Sequence, residues 1–150
     1  MKILSNNKKA FYDYIILEKF EAGIELFGSE VKSIKEGRAN LKDGFCRIQK
    51  NEVFMYNTHV SPYVNASIFN HAPERVRKLL MHKREIIKLN NKIKEGGLTL
   101  VPTKIYSNEK GLIKVEICLA KGKKSYDKRD ALAKKDFQKK LNKKVKYDNL

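Results

Sequence analysis

Between Leu112 and Leu119 apolar and charged residues alternate: Ile113, Val115, Ile117 and Leu119 share one parity, with Lys114 and Glu116 among the residues of the other. Successive strand side chains point to opposite faces, so this period of two predicts a strand with one face in a core and one face in water. Only an antiparallel sheet offers that arrangement readily. The segment Thr99 to Ser107 precedes it across a turn at Asn108 to Gly111 and reads as its neighbouring strand.

Further strand signals are spaced closely along the chain. AFYDYIILEKF, Ala10 to Phe20, is rich in Tyr, Phe and Ile and reads as a strand. FCRIQKNEVFMYNTHV reads as a hairpin turning near Lys50 to Glu52. Two segments carry helical spacing instead. In SEVKSIKE, Val31 and Ile34 fall on one face and Gly37 stands where a C-terminal cap belongs; in Lys83 to Glu95, Ile86, Leu89 and Ile93 recur on one face up to Gly96-Gly97. Residues 1–8 are polar and basic and read as a short flexible arm. The pattern predicts a mainly β chain: a small antiparallel β-barrel over residues 9–120 with two or three short helices attached.

After Leu119 the pattern changes. From Lys121 to Lys144 eleven Lys and Arg stand against three Asp, a net of +8, which is half of the chain's +16. The only apolar spacing beyond Gly122 is Ala133, Phe137, Leu141 and Val145, one residue per turn. A stripe this narrow buries too little to order itself alone, so residues 121–150 are expected to form a tail that is disordered when free and helical on a partner. Charge of this density calls for a polyanion. Lys and Arg that neutralise phosphates release counterions and give tight, salt-sensitive binding. The tail's stripe carries one aromatic residue and no Trp, which disfavours a membrane surface. Tyr126 lies alone between the blocks KGKK and DKR, and two readings stay open for it: stacking on an unpaired base, or folding back onto the barrel.

Other classes find little support. Cys46 and Cys118 are the only cysteines and form no CxxC pair, so neither a disulfide framework nor a zinc site is expected. MKILSNNKK lacks the apolar stretch of a signal peptide, and no run approaches a bilayer span, so a cytoplasmic protein is expected. Asp13, Glu21 and Glu30 are the carboxylates a metal-dependent nuclease would need, yet no HExxH, close Asp pair or Gly-rich phosphate loop accompanies them. No catalytic residue, metal or cofactor is assigned.

Several blocks, in collinear order over nearly the whole chain, carry a specific likeness. NKKAFYDYIILEKFEAGIELFGSEVKSIKEGRANLKDG (Asn7 to Gly44), NHAPERVRKLLMHKREI (Asn70 to Ile86), TLVPTKIY (Thr99 to Tyr106) and LAKGKKSYDKRD (Leu119 to Asp130) closely resemble the bacterial small protein B family, SmpB, the partner of transfer-messenger RNA. The resemblance implies an OB-like barrel that binds the tRNA-like domain of transfer-messenger RNA. It also implies a role in trans-translation, in which the tail occupies the vacant decoding centre and mRNA channel of a stalled ribosome. Elongation factor Tu with GTP and alanyl-tRNA synthetase would be indirect partners, and the chain itself would catalyse nothing.

Carried over onto this sequence, the resemblance assigns transfer-messenger RNA binding to Glu21, Leu80 and His82. A carboxylate is a poor phosphate partner, but it accepts hydrogen bonds from base amino groups or a ribose 2′-OH and so adds selectivity. Leu80 fits either a ribose or base face or an ordinary core position. His82 stands where many relatives carry Asn; it can donate to RNA, make binding pH-sensitive, or cap the helix near Lys83. Arg75, Arg77 and Lys78 surround this pair and suit the RNA backbone. In the tail, the resemblance places Lys121, Gly122, Lys123, Lys124, Tyr126, Asp127, Lys128 and Arg129 at the decoding centre, with Tyr126 where many relatives carry His. Asp43-Gly44-Phe45 replaces a DSY block, with the expected loss of a local hydrogen bond. The competing reading is another basic ribosome-associated or general RNA-binding protein.

Overall fold

The structure, a computed structural model, describes residues 1–64 and 70–123. Among the described residues nine strands and three helices follow one another: β1 (Lys2–Asn6), α1 (Lys8–Asp13), β2 (Tyr14–Ile24), α2 (Gly28–Lys35), β3 (Ala39–Asn40), β4 (Phe45–Gln49), β5 (Glu52–Tyr56), β6 (His59–Val60), β7 (Arg77–Leu80), α3 (Lys83–Gly96), β8 (Thr99–Ser107) and β9 (Ile113–Gly122). Seven strands form one antiparallel sheet in the order β1-β8-β4-β5-β7-β2-β9, and β8 also pairs with β9. That last pairing joins the ends, so β8, β4, β5, β7, β2 and β9 make a ring with β1 added outside on β8. The chain is mainly β with a few short helices, and the ring is compatible with an OB-like barrel.

The alternation in β9 does what its spacing demands. Val115 and Ile117 are fully buried and Leu119 nearly so, in one core with Leu100, Ile105, Val53, Met55 and Leu79. Lys114 and Glu116 lie on the other side. Toward the end of β9 that other side is covered too, because Ala10 of α1 packs over Val101, Cys118 and Ala120. Ile34 of α2 and Ile86 and Leu89 of α3 close the core, and α3 stops at Gly97, which takes the left-handed conformation as its C-terminal cap. The β4–β5 hairpin turns at Lys50 and Asn51, both with positive φ.

Three local expectations are corrected, and one strand, β7, was not anticipated. Residues 2–6 are not a free arm: β1 pairs with β8 from Lys2 opposite Ser107 to Asn6 opposite Lys104, taking up an edge that would otherwise expose its backbone. The strand read from Ala10 begins at Tyr14, because buried Asn7 starts a helical turn first. Its Oδ1 accepts from the Ala10 N–H, while its Nδ2 donates to the carbonyls of Leu41 and Pro102 at 3.0 and 2.8 Å. β7 has no counterpart in the sequence reading, since its inward residues are Arg77 and Leu79 and a buried arginine breaks the apolar pattern. At the far end, Lys121 and Gly122 pair with Ile15 and Tyr14, so the barrel runs past residue 120 and these two belong to it.

Candidate nucleic-acid interface

Three of the sequence-derived residues come together. Glu21 projects from β2, Leu80 ends β7 and His82 is the residue just before α3. They line a single recess of about 350 Å³ together with Gly23, Met81, Glu85 and Lys114. The register explains the convergence: Gly23 lies opposite Leu80 on one side and opposite Lys114 on the other. A Cβ at Gly23 would stand 3.2 Å from the Leu80 Cβ, so the glycine lets β7 sit tightly against β2.

Each member of the recess has a defined state. Glu21 accepts a hydrogen bond from the hydroxyl of Tyr106 on β8. Burial, and then this bond to a carboxylate, holds the Tyr106 phenol well above its usual range, so it stays a donor. Glu21 is thereby aimed with acceptor capacity left for a ligand. Leu80 is 47 % exposed, which settles its alternatives against the core. His82 is exposed, and its ring makes no cap bond. The N-terminus of α3 is capped instead by Glu85, whose carboxylate accepts the His82 backbone N–H at 3.2 Å. The recess thus offers acceptors, an imidazole, an ammonium and an apolar face, a set suited to base edges and ribose more than to phosphate. Met81, Glu85, Tyr106 and Lys114 went unnoticed in the sequence, although Lys114 was already on the wet face of β9.

The cations assigned to the RNA backbone behave differently, and one assignment is overturned. Arg77 is fully buried and cannot touch a phosphate. Its Nε donates to Oε2 of Glu30 at 2.7 Å, Nη1 to the Thr58 carbonyl at 3.0 Å and Nη2 to the Pro73 carbonyl at 3.0 Å. Glu30 is itself fully buried, and Arg75 donates to its other oxygen at 2.6 Å while lying over the Phe27 ring. Burial pushes the Glu30 carboxyl up, but hydrogen bonds from Arg75 and the Phe27 N–H and the charge of Arg77 outweigh it and leave the group below its ordinary value. Nearby, the His71 ring donates from Nε2 to the Val60 carbonyl at 2.8 Å and accepts the Ser29 hydroxyl at 2.8 Å through Nδ1. These bonds fasten α2 to the segment that leads into β7. Lys78 faces outward and pairs with Glu52.

Gly44 is closely surrounded. A Cβ there would come within 2.7 Å of Thr58 Cγ2 and 2.9 Å of Pro102 Cγ, so in this chain the position lacks space for any side chain.

The SmpB protein family model matches residues 4–147 of this sequence. The chain belongs to the SmpB family. Among its SmpB relatives, the SsrA-binding protein of Thermosipho melanesiensis is 58% identical over 141 residues, 94% of this chain and 96% of the relative. That of Fervidobacterium nodosum is 53% identical over 148 residues, 99% of each. In three dimensions the chain resembles one from the solved structure described as "tmRNA-SmpB: a journey to the center of the bacterial ribosome". The TM-score is 0.69 at 45% identity, over 85% of this chain and 92% of that one.

Of the SmpB tail block, the described residues include Lys121, Gly122 and Lys123. Lys123 lies against α1: its N–H donates to the Asp13 carbonyl at 2.9 Å and its ammonium to the Phe11 carbonyl at 3.3 Å. Lys124, Tyr126, Asp127, Lys128 and Arg129 lie outside the described residues.

Proposed function

We propose that this chain binds the tRNA-like domain of transfer-messenger RNA through the Glu21–Leu80–His82 recess and brings it to stalled ribosomes for trans-translation. The observation that carries the reading is the convergence of those three residues, from β2, β7 and the start of α3, on one exposed recess whose chemistry suits bases and ribose. Membership of the SmpB family and relatives named SsrA-binding proteins support the choice of RNA. The likeness to a chain solved under a description that names tmRNA and the bacterial ribosome supports the setting.

In this reading the protein works by binding and catalyses nothing. Glu21, held by Tyr106, accepts from base amino groups or a 2′-OH, while Leu80 packs on a sugar or base face and His82 donates. The basic segment after Lys123 occupies the vacant decoding centre and mRNA channel, where its charge is matched by ribosomal RNA. Alanyl-tRNA synthetase charges the RNA, and elongation factor Tu with GTP delivers it.

The test is to sequence the RNA that co-purifies with the full-length protein at moderate salt. Transfer-messenger RNA should dominate; a mixture of ribosomal RNA and tRNA would favour a general RNA-binding protein instead. A truncation after Lys123 keeps all of β9 and its last contacts to α1. It should retain binding to the tRNA-like domain and lose peptide tagging on stalled ribosomes. Tagging by the truncated protein in a reconstituted reaction would refute the role given to the tail.

A further inference from the structure

The outward face of the β4–β5 hairpin holds aromatic residues that the core does not use. Along β4, Phe45 and Arg47 flank buried Cys46; along β5, Phe54 and Tyr56 alternate with fully buried Val53 and Met55. The outward four are cross-strand partners, Phe45 opposite Tyr56 and Arg47 opposite Phe54. The Phe45 and Tyr56 rings stack with centroids 5.3 Å apart and planes 8° from parallel. The Arg47 guanidinium lies over both, 5.1 Å from one centroid and 5.9 Å from the other. Arg47 is exposed, and among the described residues it forms no salt bridge. Three aromatics and an unpaired arginine on the wet side of a hairpin call for a ligand that is flat and anionic.

This face is continuous with the recess. Phe54 lies opposite Lys78 of β7, and Leu80 is two residues further along the same strand on the same side. Diagonal neighbours of that kind are about 7–8 Å apart on a sheet. The hairpin face therefore adjoins the recess at Leu80. Lys78, although paired with Glu52, lies between the two, whereas the carboxylates Glu52 and Glu25 keep this stretch from being a simple phosphate track.

We propose that Phe45, Arg47, Phe54 and Tyr56 form a stacking platform for an unpaired base of the RNA bound at the Glu21–Leu80–His82 recess. The inference rests on the RNA-binding reading above and extends it. Phe45 and Tyr56 hold Arg47 over their rings, and a base lies on the guanidinium and the Phe54 ring, as bases of single-stranded segments do on arginine and aromatic planes. Such a contact favours a loop nucleotide over a paired one, because a base inside a helix offers no free face.

The experiment uses the full-length protein and a transcript of the tRNA-like domain. Arg47→Lys keeps the charge and removes the plane, Phe54→Ala removes one stacking surface, and Phe54→Trp places a fluorophore in a chain that has no tryptophan. Arg47→Lys and Phe54→Ala should each bind about tenfold more weakly, the size of one base stack, with the slope against salt unchanged for Arg47→Lys. Phe54→Trp should lose fluorescence on adding RNA, because the base lies on the new indole. Wild-type affinity in both weakened variants, with no fluorescence change in Phe54→Trp, overturns the platform. If Glu21→Ala still weakens binding in that case, the recess reading survives alone; if the parent protein ignores the RNA, both fall.

Discussion

Glu30 and Glu21 are both glutamates at the ends of short charged blocks, and the fold gives them opposite duties. Glu30 is fully buried between Arg75, Arg77 and the Phe27 N–H, with each of its oxygens engaged. Glu21 stands at the surface, steadied by one phenol and open to a ligand. One carboxylate is structural and the other is available for recognition. The difference comes from what stands opposite each side chain, and charge in the sequence says nothing about it.

The sharpest way to break this contrast is to remove each carboxylate in turn. Glu30→Ala leaves two guanidiniums without their counter-charge, one of them fully buried. Losing one partner of a buried pair costs about 3–5 kcal/mol. Urea unfolding of Glu30→Ala should show a loss of that order, and Glu21→Ala should stay within about 1 kcal/mol of the parent, as surface changes do. A Glu30→Ala protein as stable as the parent would make the cluster incidental.

Acid should reach the same cluster. The Glu30 carboxyl is held below its ordinary value of 4.5, so its folded form prefers the charged state. Its contribution is then fully present above that value and lost as pH falls through the lower, folded one. Melting temperature followed from about pH 6 down to about pH 3 should drop in the acid limb, and the drop should shrink in Glu30→Gln. Equal limbs in the two proteins would assign acid lability to other carboxylates.

The recognition side of the contrast has its own measure. Glu21→Ala should weaken binding of the tRNA-like domain by about tenfold, in the range of a hydrogen bond to a charged group. The slope of affinity against salt should not flatten, since a carboxylate neutralises no phosphate. A flatter slope would place Glu21 beside a cation that grips the backbone.

The RVRKLL block shows how much of this was legible beforehand. Read as sequence, Arg75, Arg77 and Lys78 are a basic patch and Leu80 is ambiguous. Folded as β7, the block alternates: Arg77 and Leu79 point in, Lys78 and Leu80 point out. Had the period of two been imposed, it would have put Arg77 beside Leu79 in the core, but an arginine in the core is credible only once Glu30 is known to face it. The alternating strand β9, its neighbour β8 across the Asn108–Gly111 turn, and the helix α3 were readable because local pattern and tertiary demand agree there. α1 was not, because the turn depends on Asn7 reaching Leu41 and Pro102, distant in the chain. Glu21, Leu80 and His82 were pointed to by the family resemblance and not by pattern or spacing, whereas Tyr106, which aims Glu21, comes from a third strand that no local motif points to.

The smallest test concerns the glycine that lets the two halves of the recess meet. At Gly23→Ala the new Cβ lands 3.2 Å from the Leu80 Cβ and 3.6 Å from its Cδ1, so Leu80 must give by a few tenths of an ångström. Alanine narrows the unfolded ensemble by an amount worth about 0.4–1 kcal/mol, which offsets the crowding, so the melting temperature should barely move. Leu80 is the half-exposed wall of the recess and moves with its Cβ, so the effect belongs in recognition. A two- to threefold loss of affinity for the tRNA-like domain, with stability unchanged, would fit a wall whose position is sensed by the ligand; that size is about 0.5 kcal/mol, typical of a slightly misplaced apolar contact. Unaltered affinity beside a weakened Glu21→Ala would mean that Glu21 and His82 do the recognising and that Leu80 only fills space.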